Sequence, residues 1–92
     1  MVEKNMGTDQ QVIIDTFWHK ANQAANKGKN EDARAWFECI VELDDRDVDA
    51  WLRLADLIPD ARERMHCYVH VLEISPGNVQ ARNGIRTTRR QL

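Results

Sequence analysis

The sequence contains no run of 18 apolar residues, so no segment is expected to cross a membrane. Its opening residues, MVEKNMGTDQ, lack the apolar stretch of a secretory signal, which points to the cytoplasm. Cysteine is limited to Cys39 and Cys67, each inside an apolar-periodic segment and far from any secreted-type spacing. Buried free thiols are therefore expected rather than a disulfide. None of the four glycines belongs to a phosphate-cradling loop, and no Ser-His-Asp or Cys-His order stands out. No strand pattern competes anywhere, and no enzymatic chemistry or cofactor is expected.

What remains is a modest single domain. Ninety-two residues can bury one core layer between neighbouring helices but no large enclosed cavity. The 42% hydrophobic and 30% charged fractions are those of an ordinary soluble protein. With Met at position 1, a chain that stands alone is the expectation. The net charge of −2 conceals an asymmetry: residues 1–30 carry +1, residues 31–60 carry −7 and residues 61–92 carry +4. The middle is acidic and the end is basic.

Residues 1–8 are polar and without period, and are expected to be flexible. From Asp9 the apolar positions Ile14, Phe17, Trp18, Ala21 and Ala25 recur at steps of three and four, one face of a helix. Thr8 or Asp9 can cap it, and Gly28 ends it. A second helix starts after Asn30, with Glu31 and Asp32 in its first turn, where negative charge meets the positive end of the helix dipole. Its apolar stripe is Ala33, Trp36, Phe37, Ile40, Val41 and Leu43. The run Asp44-Asp45-Arg46-Asp47 breaks the pattern and supplies the next cap. A third helix covers about 48–57, with Val48, Trp51, Leu54, Ala55 and Ile58 on its buried side. Pro59 then precedes a fourth helix over about 60–74, whose apolar set is Met65, Tyr68, Val69, Leu72 and Ile74. Ser75-Pro76-Gly77-Asn78 is a turn. A more polar fifth helix, about 79–90, has Val79, Ala81 and Ile85 as its anchors.

Two stretches superpose at an offset of 31 residues. Phe37 falls on Tyr68, Ile40 on Val71, Glu42 on Glu73, Asp47 on Asn78, Ala50 on Ala81 and Leu54 on Ile85. Internal periodicity of this size marks a stacked helical array. Trp51, Leu54, Ala55 and Ile58 stand at the spacings of W-x2-L-G-x2-Y; Ala33 with Phe37 supplies A-x3-F, and Pro76 the terminal proline. Phe17 and Ala21 can fill the Trp and Gly positions of an earlier repeat.

On these residues the chain resembles the tetratricopeptide repeat (TPR) family. The resemblance implies an all-α helix-turn-helix array of about two and a half repeats and five helices over 9–92. Asp45 stands where the first repeat should carry Pro, and the second repeat is three residues short between Leu57 and Arg62. Short turns of this kind look similar to repeats embedded in large bacterial multidomain proteins with scaffold roles.

The family lines its concave groove with the first helix of each pair. By that resemblance the partner-binding positions are Asp15, Trp18, Asn22, Asp49, Leu52, Arg53, Asp56, Gln80, Asn83 and Thr87. Asp15, Asp49 and Asp56 make an acidic tail a poor ligand, so a basic or amphipathic segment of another protein is expected. Of the tryptophans, Trp51 is expected to be almost fully buried and Trp36 packed between layers; Trp18 stands open between core and ligand contact. Arg82, Arg86, Arg89 and Arg90 form a second, basic surface, but the acidic domain as a whole disfavours nucleic acid. His66 and His70 share a helix face beside Cys67, yet zinc needs two more ligands and His19 lies on another helix. Two partly exposed histidines and no metal are the expectation. The competing function is a self-assembling structural subunit. Two and a half repeats leave apolar ends open, and a second copy is the simplest cover.

Overall fold

The computed structural model describes residues 2–92, with side chains from residue 9 onward. It is all helical among the described residues: α1 (Val2–Asn26), α2 (Asn30–Leu43), α3 (Val48–Leu57), α4 (Ala61–Ile74) and α5 (Val79–Arg89). Asp9 is an interior residue of α1 and not its cap. Thr8 is likewise interior to α1 and not its cap, and residues 2–8, expected to be flexible, belong to the helix.

Local chemistry explains the end of α1 and the starts of α3, α4 and α5. Gly28 adopts φ 75°, the left-handed conformation a helix stop favours, while Lys29 N–H donates to Ala24 O at 2.9 Å and Gly28 N–H to Ala25 O at 3.0 Å. This is the paired reverse bonding of a Schellman stop, which occupies the carbonyls left over at the end of α1. The side chains of Asp47, Asp60 and Asn78 cap α3, α4 and α5 by accepting from first-turn N–H groups.

The 31-residue period reappears in the backbone. It carries the start of α2 at Asn30 onto that of α4 at Ala61, their ends at Leu43 and Ile74 onto each other, and the start of α3 at Val48 onto that of α5 at Val79. The caps follow the same offset: Asp47 accepts from Ala50 N–H at 3.1 Å and Asn78 from Ala81 N–H at 2.8 Å. So do the turn bonds Asp44 N–H to Ile40 O and Ser75 N–H to Val71 O. The α2–α3 and α4–α5 junctions thus share their bonding at this offset, whereas the unit starts differ: Asp60 caps α4 through its side chain and Lys29 does not cap α2.

Each helix packs on the next in sequence. The core has two kinds of residue. Ala21, Ala33, Ala50, Ala55 and Ala81 are fully buried at the crossings, and Phe37, Ile40 and Val71 are the large side chains with no exposure. A side chain that ends at Cβ lets two helices approach, and the few large ones fill the space between crossings. Gly84 extends this logic, since a Cβ there would stand 2.4 Å from the Tyr68 ring. No side chain fits between α5 and that ring.

Side-chain bonds also join helices two apart. Trp18 and Asn22 of α1 reach Asp47 and Arg53 at α3, and Arg34 of α2 reaches Glu63 of α4 at 2.8 Å. At the far end Arg64 donates to Ile58 O at 2.7 Å, to Thr88 Oγ1 at 3.3 Å and to Gln91 Oε1. One guanidinium thus satisfies a carbonyl at the end of α3 and the one buried polar side chain recorded on α5, Thr88.

The expectation of a buried Trp51 is overturned. The ring is only partly buried, lies 4.4 Å from the His70 ring with the planes tilted by 49°, and donates through Nε1 to Asp45 O at 2.8 Å. The deep positions of α3 are Ala50, Leu52, Leu54 and Ala55, which leaves Trp51 on the flank. Phe37→Ala is therefore expected to cost about 3–5 kcal/mol and Trp51→Ala about half as much, measured by denaturant unfolding. Equal losses would contradict the assignment. Gly→Ala inside a helix ordinarily stabilises by up to about 1 kcal/mol. Here Gly84→Ala should instead destabilise by about 1–3 kcal/mol through overpacking on Tyr68. Gly77→Ala, whose Cβ would meet nothing within 4 Å, serves as the neutral control.

Candidate functional site

The structure brings three of the ten expected partner-binding residues into one bonded cluster. Trp18 lies on α1 with its edge against Phe37, ring centroids 5.1 Å apart and planes at 79°. Its Nε1 donates to Asp47 Oδ2 at 3.4 Å. Asn22, one turn further along α1, accepts from Arg53 Nη2 at 2.8 Å. The Arg53 guanidinium lies 5.5 Å from the Phe37 ring centroid and 6.0 Å from that of Trp18. Cation–π attraction and one hydrogen bond hold this exposed arginine on an aromatic shelf. Most of its N–H donors carry no recorded bond.

Three exposed carboxylates border the shelf. Asp49 and Asp56 flank Arg53 on α3 at spacings of four and three, the same helix face. Asp15 precedes Trp18 by three residues on α1 and accepts from Gln11 Nε2 at 2.8 Å. Gln80, Asn83 and Thr87 are exposed on α5, with no recorded bond to the cluster. Arg82, Arg86, Arg89 and Arg90 are exposed as expected for a surface stripe.

Leu52 does not belong to an open binding surface. It is 5% exposed and part of the apolar core. α3 is covered by α2 and α4 and bridged by α1, so a position that a two-layer picture leaves open is closed here. Phe37 and Asp47, which complete the cluster, were missing from the expected set. Phe37 could be read only as core from its spacing, and Asp47 only as a cap, yet each serves both purposes.

The large recess of about 460 Å³ lies elsewhere, lined by Trp51, Met65, His66, Cys67, Val69, His70 and Glu73. Its groups are already committed. A carbonyl oxygen only accepts, so His70 Nε2, 2.9 Å from Asp45 O, carries the proton. His70 Nδ1 stands 3.4 Å from Glu73 Oε1. His66 is exposed, and among the described residues no group of three His, Cys, Asp or Glu side chains is placed to hold a metal ion. Both cysteines are free, Cys67 buried and Cys39 less so. Burial pushes the Cys67 thiol from its ordinary 9.0 up to about 11, so it is neither a thiolate nor a nucleophile at neutral pH.

No protein-family model matches this chain, and no curated protein matches it.

Because Cys67 keeps its proton in the folded state up to about 11 and loses it near 9.0 when unfolded, it adds stability at lower pH. That contribution is complete below the unfolded value and disappears as pH rises through the folded one. Raising the pH from about 8 to about 10.5 should lower the unfolding free energy by about 2 kcal/mol, and less in Cys67→Ala. Burial raises Tyr68 as well, so some loss persists in the variant. Native-state alkylation near neutral pH should modify Cys39 before Cys67; the reverse order would contradict the burial.

Proposed function

We propose that this chain is a TPR-like helical repeat domain, cytoplasmic and without enzymatic chemistry, that binds a basic or amphipathic segment of another protein along its α1–α3 face. The observation that carries this reading is the Arg53 shelf. A guanidinium laid over Phe37 and Trp18 and tied to Asn22 is already ordered before a ligand arrives, so its immobilisation adds little to the cost of binding. Around it stand one aromatic surface for apolar contact and three exposed carboxylates for cations. That mixture suits a helix or extended segment carrying both kinds of side chain.

Further support comes from the arrangement of the helices. Side-chain bonds run from α1 to α3 and from α2 to α4, a linkage between alternate helices that supports the stacked reading. The shortest principal extent, 17 Å, has room for two helix layers. The repeated 31-residue unit and its repeated caps fit the same reading.

The test uses the whole chain and two labelled helical peptides of matched apolar pattern, one Arg-rich and one Glu-rich, followed by fluorescence anisotropy. The Arg-rich peptide should bind. Asp49→Asn with Asp56→Asn, or Trp18→Ala alone, should weaken it about tenfold, while Gln23→Ala on the exposed side of α1 leaves it unchanged. Preference for the Glu-rich peptide would refute the charge assignment, and indifference to Trp18→Ala would move the site off this face.

A further inference from the structure

One helix of the chain itself has the chemistry that the α1–α3 face asks for. α5 contains no acidic residue. Arg82, Arg86 and Arg89 follow one another at spacings of four and three, a single stripe along the helix, with Arg90 beside its end. All four are exposed, and none takes part in an ion pair among the described residues. Val79, three residues before Arg82, is 68% exposed at the head of the same stripe. The buried side of α5, with Ala81 and Thr88, faces away from it. This is a basic amphipathic helix face with one apolar contact and no partner among the described residues.

The α1–α3 face offers a matching pattern. Asp49 and Asp56 are seven residues apart on α3, and Arg82 and Arg89 are seven apart on α5. Two helical turns separate each pair by about 10.5 Å, so two straight helices laid side by side can form both ion pairs in register. Asp15 adds a third carboxylate on α1, and the Trp18 ring offers an apolar surface for Val79. Arg53, the cation between Asp49 and Asp56, is held back against Phe37, Trp18 and Asn22.

We propose that a second copy of this chain docks its α5 along the α1–α3 face, setting Arg82 and Arg89 against Asp49 and Asp56. The inference rests on the binding role given to that face and names its occupant. Each chain carries both halves of the contact. Used reciprocally, the two halves close a two-fold dimer; used once per chain, they propagate.

Sedimentation equilibrium of the whole chain at high micromolar concentration tests this. Association is expected at low salt and should weaken as salt screens the pairs. Arg82→Glu with Arg89→Glu should raise the dissociation constant about tenfold or more, and so should Asp49→Arg with Asp56→Arg. Each reversed chain then carries like charges on both surfaces. Mixing the two reversed chains restores both complementary contacts and should restore association, which a merely misfolded variant cannot do. A wild-type chain that stays monomeric at low salt overturns the proposal, as does association that survives in both reversed chains. A monomer that still binds the Arg-rich peptide overturns only the second copy as occupant; a chain that binds neither overturns the face itself.

Discussion

The close approach of helices at alanine crossings is the constraint on which the rest of this structure depends. Ala21, Ala33, Ala50, Ala55 and Ala81 have no exposed surface, and they are distributed over α1, α2, α3 and α5. A larger side chain at any of them would have to displace neighbouring atoms, because protein interiors are close-packed and yield little. With spacing set by these small residues, only a few large ones fit between layers, and Phe37, Ile40 and Val71 occupy that space completely. The core is thin, and its remaining walls are half-buried aromatics such as Phe17, Trp18, Trp36 and Trp51. Aromatic rings are therefore partly exposed at the surface of this domain because the core has no room to enclose them.

The two 31-residue units solve the same problem differently at one position. Phe37 and Tyr68 are equivalent, and so are Arg53 and Gly84. In the first unit the arginine lies over the aromatic ring at 5.5 Å and keeps its charge in solvent. In the second unit the backbone at Gly84 comes so near Tyr68 that no Cβ can stand between them. One copy uses the position to build a polar shelf, and the other uses it to seat a helix. The shelf accordingly belongs to α1–α3 alone, even though the backbone unit is repeated.

Much of the fold was legible because its signals are local. Gly28, the Asp44–Asp47 run and Ser75-Pro76-Gly77-Asn78 stop and start helices through their own backbone and side-chain bonds. The 31-residue offset was readable for the same reason, since caps and small residues recur with it. The candidate site was legible in part. Trp18, Asn22 and Arg53 were placed on one groove by the family resemblance, and the structure joins them. Periodicity gives the face a residue occupies and does not say what covers that face. Leu52 and Trp51 are adjacent on α3, and their expected exposures were interchanged because coverage by α1, α2 and α4 decides the matter. Arg64 was invisible for a related reason: its targets, Ile58 O, Thr88 and Gln91, lie on other elements, and an arginine on a polar face carries no mark of such a task.

Arg64 also bears on how α5 can have a busy outer surface. α5 buries little apolar area, with Ala81 and Thr88 as its buried positions and Ile85 partly covered. Hydrophobic burial alone holds such a helix weakly, in proportion to the area removed from water. Its seat is defined instead by two directional features, the Gly84–Tyr68 approach and the Arg64 bonds to Thr88 and Gln91. Both act on the inner face and leave Val79, Arg82, Arg86 and Arg89 unencumbered. A helix fixed by packing alone would need a wider apolar stripe, and that stripe would displace arginines. Because geometry and hydrogen bonds orient α5, its sequence is free to concentrate positive charge on the outside. Among the described residues no ion pair joins a carboxylate of the acidic middle to an arginine of the basic end.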